Sequence, residues 1–296
     1  MPSSKLILGT VQFGLNYGIN NCAGKPDDGR IDAILRTAAD GGIDALDTAR
    51  VYGDSEERLG AALARTGLAG HFRLISKVKL YPETSSRADA EQAVEKSVCA
   101  SLRALPRDTL DGLLLHNEND LEYLPLLEPL RRRGLTGFIG ASLDSLAGLA
   151  RLGATLLPAT QVPANILDRR FQTYLRRAHR AGQRIFVRSV YLQGLLFKPA
   201  GELPRQLAET VLPVRIRLER LADSAGMPSC ELYFRYLLSD PACQSILTGV
   251  DTPEQLRENL KLAARGALSN DLLQAIAAIV PELPEECVRP SAWPKA

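Results

Sequence analysis

The segment Gly112-Leu113-Leu114-Leu115-His116-Asn117 leads into a stripe at Leu124, Leu127 and Leu130, then a basic run Arg131-Arg132-Arg133-Gly134, then Gly137-Phe138-Ile139-Gly140-Ala141. Short, near-continuous apolar runs predict strands buried on both faces, as in a parallel sheet. The i, i+3, i+6 leucines between them predict a helix, and basic residues followed by glycine stop one. Strand, helix and strand within about 30 residues make one βαβ unit.

The alternation extends in both directions. Further apolar runs lie at Leu6–Val11, Ile43–Leu46, Arg73–Val78, Thr160–Ala164, Ile185–Val190 and Ser245–Val250. Helical stripes fall between most of them: Ile31, Ile34, Leu35 and Ala38; Val94, Val98, Leu102 and Leu105; a weaker Ile216, Leu218, Leu221 and Ala225; and Leu256, Leu260 and Ala264. Thr252-Pro253-Glu254-Gln255 reads as N-cap, proline at N1 and capping-box glutamine at N3. A last helix carries Leu272, Leu273, Ile276 and Ile279. Eight strand signals spaced by about 34 residues predict an α/β fold, a single (β/α)8 TIM barrel over residues 1–296, with 281–296 a C-terminal tail. A doubly wound sheet would show G-x-G-x-x-G after its first strand, whereas Gly9-Thr10-Val11-Gln12-Phe13-Gly14 lacks that spacing. The connector near 192–212, with Pro199, Gly201, Pro204 and Pro213 close by, reads as a loop over the seventh βα junction.

Composition narrows the function classes. The chain has 296 residues, 45% hydrophobic and 24% charged, which is ordinary globular composition. A net charge of +2 gives no basic field for nucleic acid. The cysteines Cys22, Cys99, Cys230, Cys243 and Cys287 form no C-x-x-C pair, which predicts reduced thiols and a cytoplasmic protein. Met1-Pro2-Ser3-Ser4-Lys5 does not read as a signal peptide, and no apolar stretch approaches the ~20 residues that span a membrane. Three histidines without ligand-like spacing predict no metal site.

Chemistry in a (β/α)8 barrel sits at the C-terminal strand ends. Strand two ends at Asp47, with Tyr52 five residues beyond; strand three ends Ser76-Lys77-Val78; strand four ends Leu115-His116-Asn117. Each alone has an ordinary structural explanation: a turn residue, a lysine reaching solvent, a hydrogen-bonded histidine. Together they suit one task. An ammonium beside a phenol favours the phenolate, a carboxylate keeps that ammonium charged, and a neutral imidazole orients a carbonyl oxygen. The set predicts proton transfer at a carbonyl or alcohol oxygen.

These residues resemble an aldo-keto reductase over nearly the whole chain. Ile43-Asp44-Ala45-Leu46-Asp47-Thr48-Ala49-Arg50-Val51-Tyr52-Gly53 is similar to the family's GINFIDTAxxYG segment, followed by Ser55-Glu56 and Leu59-Gly60. Leu8-Gly9-Thr10, Ile75-Ser76-Lys77, Leu115-His116, Gln161-Val162-Pro163-Ala164-Asn165, Gln193-Gly194-Leu195 and Pro253–Asn259 match in order. The resemblance implies an oxidoreductase moving a hydride between NADP or NAD and an aldehyde, ketone or sugar carbonyl. It makes Tyr52 the general acid, has Lys77 and Asp47 tune it, and has His116 position the carbonyl. It assigns Gln161 and Ser142 to the nicotinamide carboxamide. Gly9, Thr10, Ser189, Leu192, Gly194, Gly249, Gln255 and Asn259 fall on cofactor-lining positions, and the helix from Thr252 offers N-terminal amides to a phosphate.

The sequence departs from the family pattern on the cofactor side. Leu143 follows Ser142 where the family often has asparagine, which removes one carboxamide contact. Arg188 stands where many members stack a tyrosine on the nicotinamide. Gly249-Val250-Asp251 puts an acid where the family often has an arginine for the 2′-phosphate of NADP. Like-charge repulsion there leaves NAD open, while the plainer reading makes Asp251 a helix cap. The family's usual N-terminal β-hairpin is expected to be missing, because Leu6–Thr10 already reads as a barrel strand.

On the substrate side, Asn117, Tyr17, Tyr191 and Phe197 are candidate lining residues. Arg169 and Arg170 are candidates for contacting an anionic substrate, against the alternative of a solvated arginine face that also includes Arg176, Arg177, Arg180 and Arg184. Two other functions stay in view. One is a lyase or isomerase using Tyr52, Lys77 and His116 without net redox change. The other is a non-catalytic cofactor-binding subunit, for which keeping all four polar residues has no purpose. Oligomeric state and substrate are not readable from the chain.

Overall fold

Eight parallel strands close on themselves in the computed structural model, which describes residues 5–19, 21, 24–80 and 86–293. They are β1 (Leu6–Gly9), β2 (Ala45–Asp47), β3 (Arg73–Val78), β4 (Leu110–Leu115), β5 (Thr136–Ser142), β6 (Ala159–Pro163), β7 (Arg184–Arg188) and β8 (Ser245–Gly249). Each pairs with its sequence neighbours, and β8 returns to β1 with Leu6 opposite Ile246 and Gly9 opposite Gly249. The expected (β/α)8 barrel is borne out. β1 is itself a barrel strand, hydrogen-bonded to both β2 and β8.

The continuous apolar runs have a simple cause. Ile7, Ala45, Ile75, Leu114, Ala159, Phe186 and Leu247 fill the barrel interior. Their neighbours, such as Leu6, Leu8, Leu46, Leu74, Leu113 and Val187, pack outward in the cluster shared with the helices. Both faces of the strands are therefore largely apolar below the mouth. Phe138 and Phe186 stack at 5.8 Å in the N-terminal half of the barrel, and the Arg184 guanidinium lies 4.9 Å from the Phe138 ring centre. Gly112 makes this possible, since a Cβ there would stand 2.2 Å from the Phe138 ring.

Around the barrel run α1 (Val11–Gly14), α2 (Asp28–Asp40), α3 (Ser55–Thr66), α4 (Arg87–Ala104), α5 (Leu127–Arg132), α6 (Leu146–Leu152), α7 (Gln172–Arg180), α8 (Arg205–Ser224), α9 (Ser229–Leu238), α10 (Pro253–Ala264), α11 (Asn270–Ile279) and α12 (Glu285–Val288). The expected stripe of α2 is fully buried. Thr252 caps α10 by accepting from the Gln255 N–H at 3.3 Å, and the Gln255 side chain accepts from the Asp251 N–H at 2.7 Å.

Three expectations need correction. The connector after strand seven is shorter than predicted, because α8 begins at Arg205 and continues through Pro213. A proline inside a helix forfeits one backbone hydrogen bond, but Leu207, Val211, Val214, Leu218 and Ala222 bury a stripe on both sides of it and hold the helix together. Ile216, placed in the expected stripe, is exposed instead. The leucines after strand four also form only a short α-helix, preceded by a 3-10 segment over Glu118–Leu126 that contains Pro125.

The C-terminal segment packs against the barrel. Cys287 and Val288 of α12 are buried with Leu207 and Val211 of α8. Residues 294–296 of the expected tail, residues 1–4 and Cys22 lie outside the described residues. Cys99, Cys230, Cys243 and Cys287 are free thiols. Among the described residues no helix is long and apolar enough to cross a membrane, and no cluster of three or more His, Cys, Asp or Glu side chains is placed to hold a metal.

Candidate active site

Strand ends bring the polar residues of the sequence reading to one mouth. β2 ends at Asp47, opposite Ile75 in the parallel register, and β3 carries Lys77 on the same face two residues beyond Ile75. Lys77 Nζ forms a close ion pair with Asp47 Oδ1, and donates to the Thr48 carbonyl at 3.0 Å and to the Tyr52 hydroxyl at 3.4 Å. It also lies 5.1 Å from the Tyr52 ring centre. The lysine is 1% exposed, and Asp47 is 4% exposed. Burial opposes the ammonium charge, but Asp47 and Tyr52 together outweigh it, so the Lys77 pKa is raised above its ordinary value.

His116 follows β4, and its ring meets that of Tyr52 edge-on at 5.6 Å. Burial pushes its pKa down to about 3, with Lys77, Arg188 and Lys79 adding to the effect. The imidazole is therefore neutral at pH 7, and its Nδ1 is buried without a hydrogen-bond partner. The linkage has a definite sign. Between about 3 and 6.5 the unfolded chain binds a proton that the native histidine refuses. Stability linked to His116 is complete above pH 6.5 and is lost as pH falls toward 3. At ~1.4 kcal/mol per pH unit, wild type is expected to lose roughly 3 kcal/mol more than His116→Gln between pH 7 and pH 4. Parallel urea titrations of the two proteins measure that difference.

Two glycines hold Tyr52 in place. Gly53 has φ of +61°, which favours glycine, and a Cβ on it would stand 2.4 Å from the Gly14 carbonyl oxygen. A Cβ on Gly14 would stand 1.8 Å from the Tyr52 carbonyl oxygen. The loops after β1 and β2 thus touch backbone to backbone. Thr10 Oγ1 donates to the Asp47 carbonyl at 3.1 Å, and Ser55 Oγ donates to the Thr10 carbonyl at 2.8 Å. Gly14→Ala is expected to displace Tyr52, costing about 1–3 kcal/mol in thermal or denaturant unfolding and lowering turnover together with stability.

A groove of about 430 Å³ opens above these residues. Asp47, Tyr52 and Gln161 line one end, Gly9, Thr10, Gln12 and Gly249 the middle, and Asp251, Gln255, Glu258 and Asn259 the other. Gln161 Nε2 donates to Asp47 Oδ2 at 2.8 Å, so this candidate carboxamide contact also belongs to the ion-pair network. Tyr17, Arg188, Ser189, Tyr191, Gly194 and Phe197 line the groove as well. Burial raises the pKa of both Tyr17 and Tyr191; the Gln193 amide donates to the Tyr17 hydroxyl at 3.0 Å, and the Tyr191 hydroxyl donates to Asn259 at 3.1 Å.

Arg188 is the only arginine or lysine among the described groove-lining residues, and it pairs with Asp144 at 2.7 Å. Burial disfavours its charge, but Asp144 outweighs it and raises the pKa. Asp144 also accepts from Arg289 at 3.0 Å, which ties the C-terminal segment to this rim.

Other predicted site residues fall elsewhere. Arg169 donates to the carbonyls of Val280 and Pro281, and Arg170 is spent on Asp168 at 2.8 Å and Glu285 at 2.7 Å. Both arginines clamp the C-terminal segment and stay out of the groove, because local carboxylates and carbonyls satisfy their guanidinium groups. Asn117 starts the 3-10 segment, accepting from the Asn119 N–H at 2.9 Å. Ser142 lies opposite Gln161 at the end of β5 but outside the lining, and Leu192 is a buried apolar residue with φ of +50°. The start of α10 has few amides to offer a phosphate, since Pro253 lacks an N–H and Thr252 takes those of Gln255 and Leu256. The sequence reading missed Gln12, Asn21 and Cys230, which line the groove from outside the matched motif stretches, and Glu258, which lies within the Pro253–Asn259 stretch but was given no role.

Comparison with known proteins agrees with this fold. The model of the aldo/keto reductase family matches residues 5–281, and the chain belongs to that family. It is 26% identical over 268 residues to the uncharacterized oxidoreductase YqkF of Bacillus subtilis (strain 168), covering 82% of this chain and 85% of the relative. Among solved structures, aldo-keto reductase AKR11C1 from Bacillus halodurans in its holo form superposes with a TM-score of 0.74 at 21% identity, covering 96% of this chain and 95% of that one. The glycerol dehydrogenase AKR11B4 from Gluconobacter oxydans gives 0.72 at 24% identity, covering 94% and 92%. The latter two likenesses concern the fold. Family membership makes the chain an oxidoreductase of the carbonyl class.

Proposed function

We propose that the protein is a nicotinamide-dependent oxidoreductase interconverting a small carbonyl compound and its alcohol, with Tyr52 as proton donor in reduction. The observation that carries the proposal is the buried Lys77–Asp47 pair with its ammonium directed at the Tyr52 hydroxyl, beside a neutral His116. Lys77 stabilises the phenolate left when Tyr52 gives up its proton, and Asp47 keeps Lys77 charged through the cycle. His116 holds the substrate oxygen without itself titrating near neutrality. Gln161 steadies Asp47 from its second oxygen. A bound nicotinamide would supply or accept the hydride, and the groove of about 430 Å³ beside Tyr52, with its mixed polar and apolar lining, supports a dinucleotide there.

The far end of that groove supports NAD over NADP. Asp251 and Glu258 line it, and the Asn21 side chain donates to Asp251 at 3.3 Å. Arg30 lies near enough to Asp251 to lower its pKa, yet burial raises it more, and Arg30 does not line the groove. A 2′-phosphate about 4 Å from a carboxylate meets repulsion of roughly 1–4 kcal/mol, whereas a ribose hydroxyl can donate to it. NADH is expected to bind at least ~10-fold tighter than NADPH, and Asp251→Arg to narrow or invert that preference. Fluorescence titration with both cofactors measures it, and tighter NADPH binding by wild type would refute the NAD assignment. Following cofactor absorbance across a panel of aldehydes, ketones and sugars tests the redox reading; turnover without cofactor change would replace it with isomerase or lyase chemistry.

A further inference from the structure

Gln12 is the first residue of the mouth that folding leaves unsatisfied. It sits on α1, directly after β1, and is 8% exposed. Its Oε1 is buried without a hydrogen-bond partner, and so is Oγ1 of Thr248, the residue before Gly249 in β8. Buried polar side chains in folded proteins are normally paired. Three of the buried side-chain polar atoms left without a hydrogen-bond partner among the described residues, those of Gln12, Thr248 and His116, belong to the C-terminal end of the barrel. Three such atoms at one mouth point to a ligand there.

Gly249 fixes where the Gln12 amide lies. A Cβ on Gly249 would come within 2.3 Å of Gln12 Oε1 and 2.5 Å of Nε2. The amide thus occupies the space where any other residue at 249 would carry its side chain. A leucine or methionine at position 12 would fill the same volume without burying an unpaired acceptor, so packing alone does not account for glutamine.

We infer that Gln12 is a positioning residue whose amide pairs with a neutral N–H or O–H donor of the bound dinucleotide, in the stretch of groove between Tyr52 and Asp251. The inference rests on the dinucleotide reading of the groove. A buried acceptor oxygen favours a hydroxyl or carboxamide donor over a phosphate oxygen, which has no proton to give. The arrangement trades stability of the free protein for ligand binding.

The test compares wild type with Gln12→Leu, and with Gln12→Met as a second variant of similar volume, using NADH titration and thermal unfolding of the ligand-free protein. In at least one variant, Tm is expected to hold or to rise by about 2–4 °C, while the Kd for NADH rises at least ~5-fold. A purely structural glutamine would lower Tm when replaced. The inference is overturned if Kd rises less than that in both variants, or if every variant that weakens binding also lowers Tm or fails to fold. Should wild type bind neither NADH nor NADPH, the dinucleotide reading itself falls and takes this inference with it; wild-type binding with an indifferent Gln12 removes only the inference.

Discussion

Replacing Tyr52 with phenylalanine is expected to lower kcat by ~10²–10⁴-fold while leaving the Kd for the cofactor within about twofold of wild type. The hydroxyl is the only atom lost, and the ring keeps its edge contact with His116. The Lys77 ammonium loses a 3.4 Å acceptor but retains Asp47 and the Thr48 carbonyl, so the buried charge stays compensated and folding is little affected. Loss of turnover with intact binding and an unchanged Tm therefore isolates proton transfer. Single-turnover kinetics with bound NADH and a reactive aldehyde make the measurement, and full turnover by Tyr52→Phe would remove Tyr52 from the chemistry.

Lys77→Met is expected to be costly in a different way. It leaves the Asp47 carboxyl buried with only the Gln161 amide at its second oxygen. Removing one partner of a buried ion pair typically costs 3–5 kcal/mol, about 6–20 °C in Tm for a chain of this size. Turnover falls as well, because the Tyr52 phenolate loses its cation. The double variant Asp47→Asn/Lys77→Met separates the two effects. It removes both charges, so thermal stability returns toward wild type, while turnover stays low. A Lys77→Met protein as stable as wild type would contradict the buried-pair description.

Much of the site was legible because strand ends are legible. A run such as Arg73–Val78 declares a two-face buried strand, and Lys77 near its end is then assigned to the mouth without coordinates. The same logic placed Asp47 and His116. It failed for Arg169 and Arg170, which also follow a strand. Asp168 aside, the partners that hold them out of the groove, Glu285 and the carbonyls of Val280 and Pro281, lie over 110 residues away in the chain, and no local pattern announces them. It failed likewise for the N-terminal half of α8, which reads as a loop because of its prolines and whose burial is decided by α12 and the segment after β7.

By itself, the sequence determined the strand count, the barrel and the four polar residues at its mouth, since periodicity and strand-end position are properties of neighbouring residues. Only the tertiary structure decided how those residues are charged and which others join them. Burial makes His116 neutral, and closure of β8 onto β1 sets Gln12 against Gly249. Desolvation and contact between distant strands are properties of the folded surface, which no window of sequence contains.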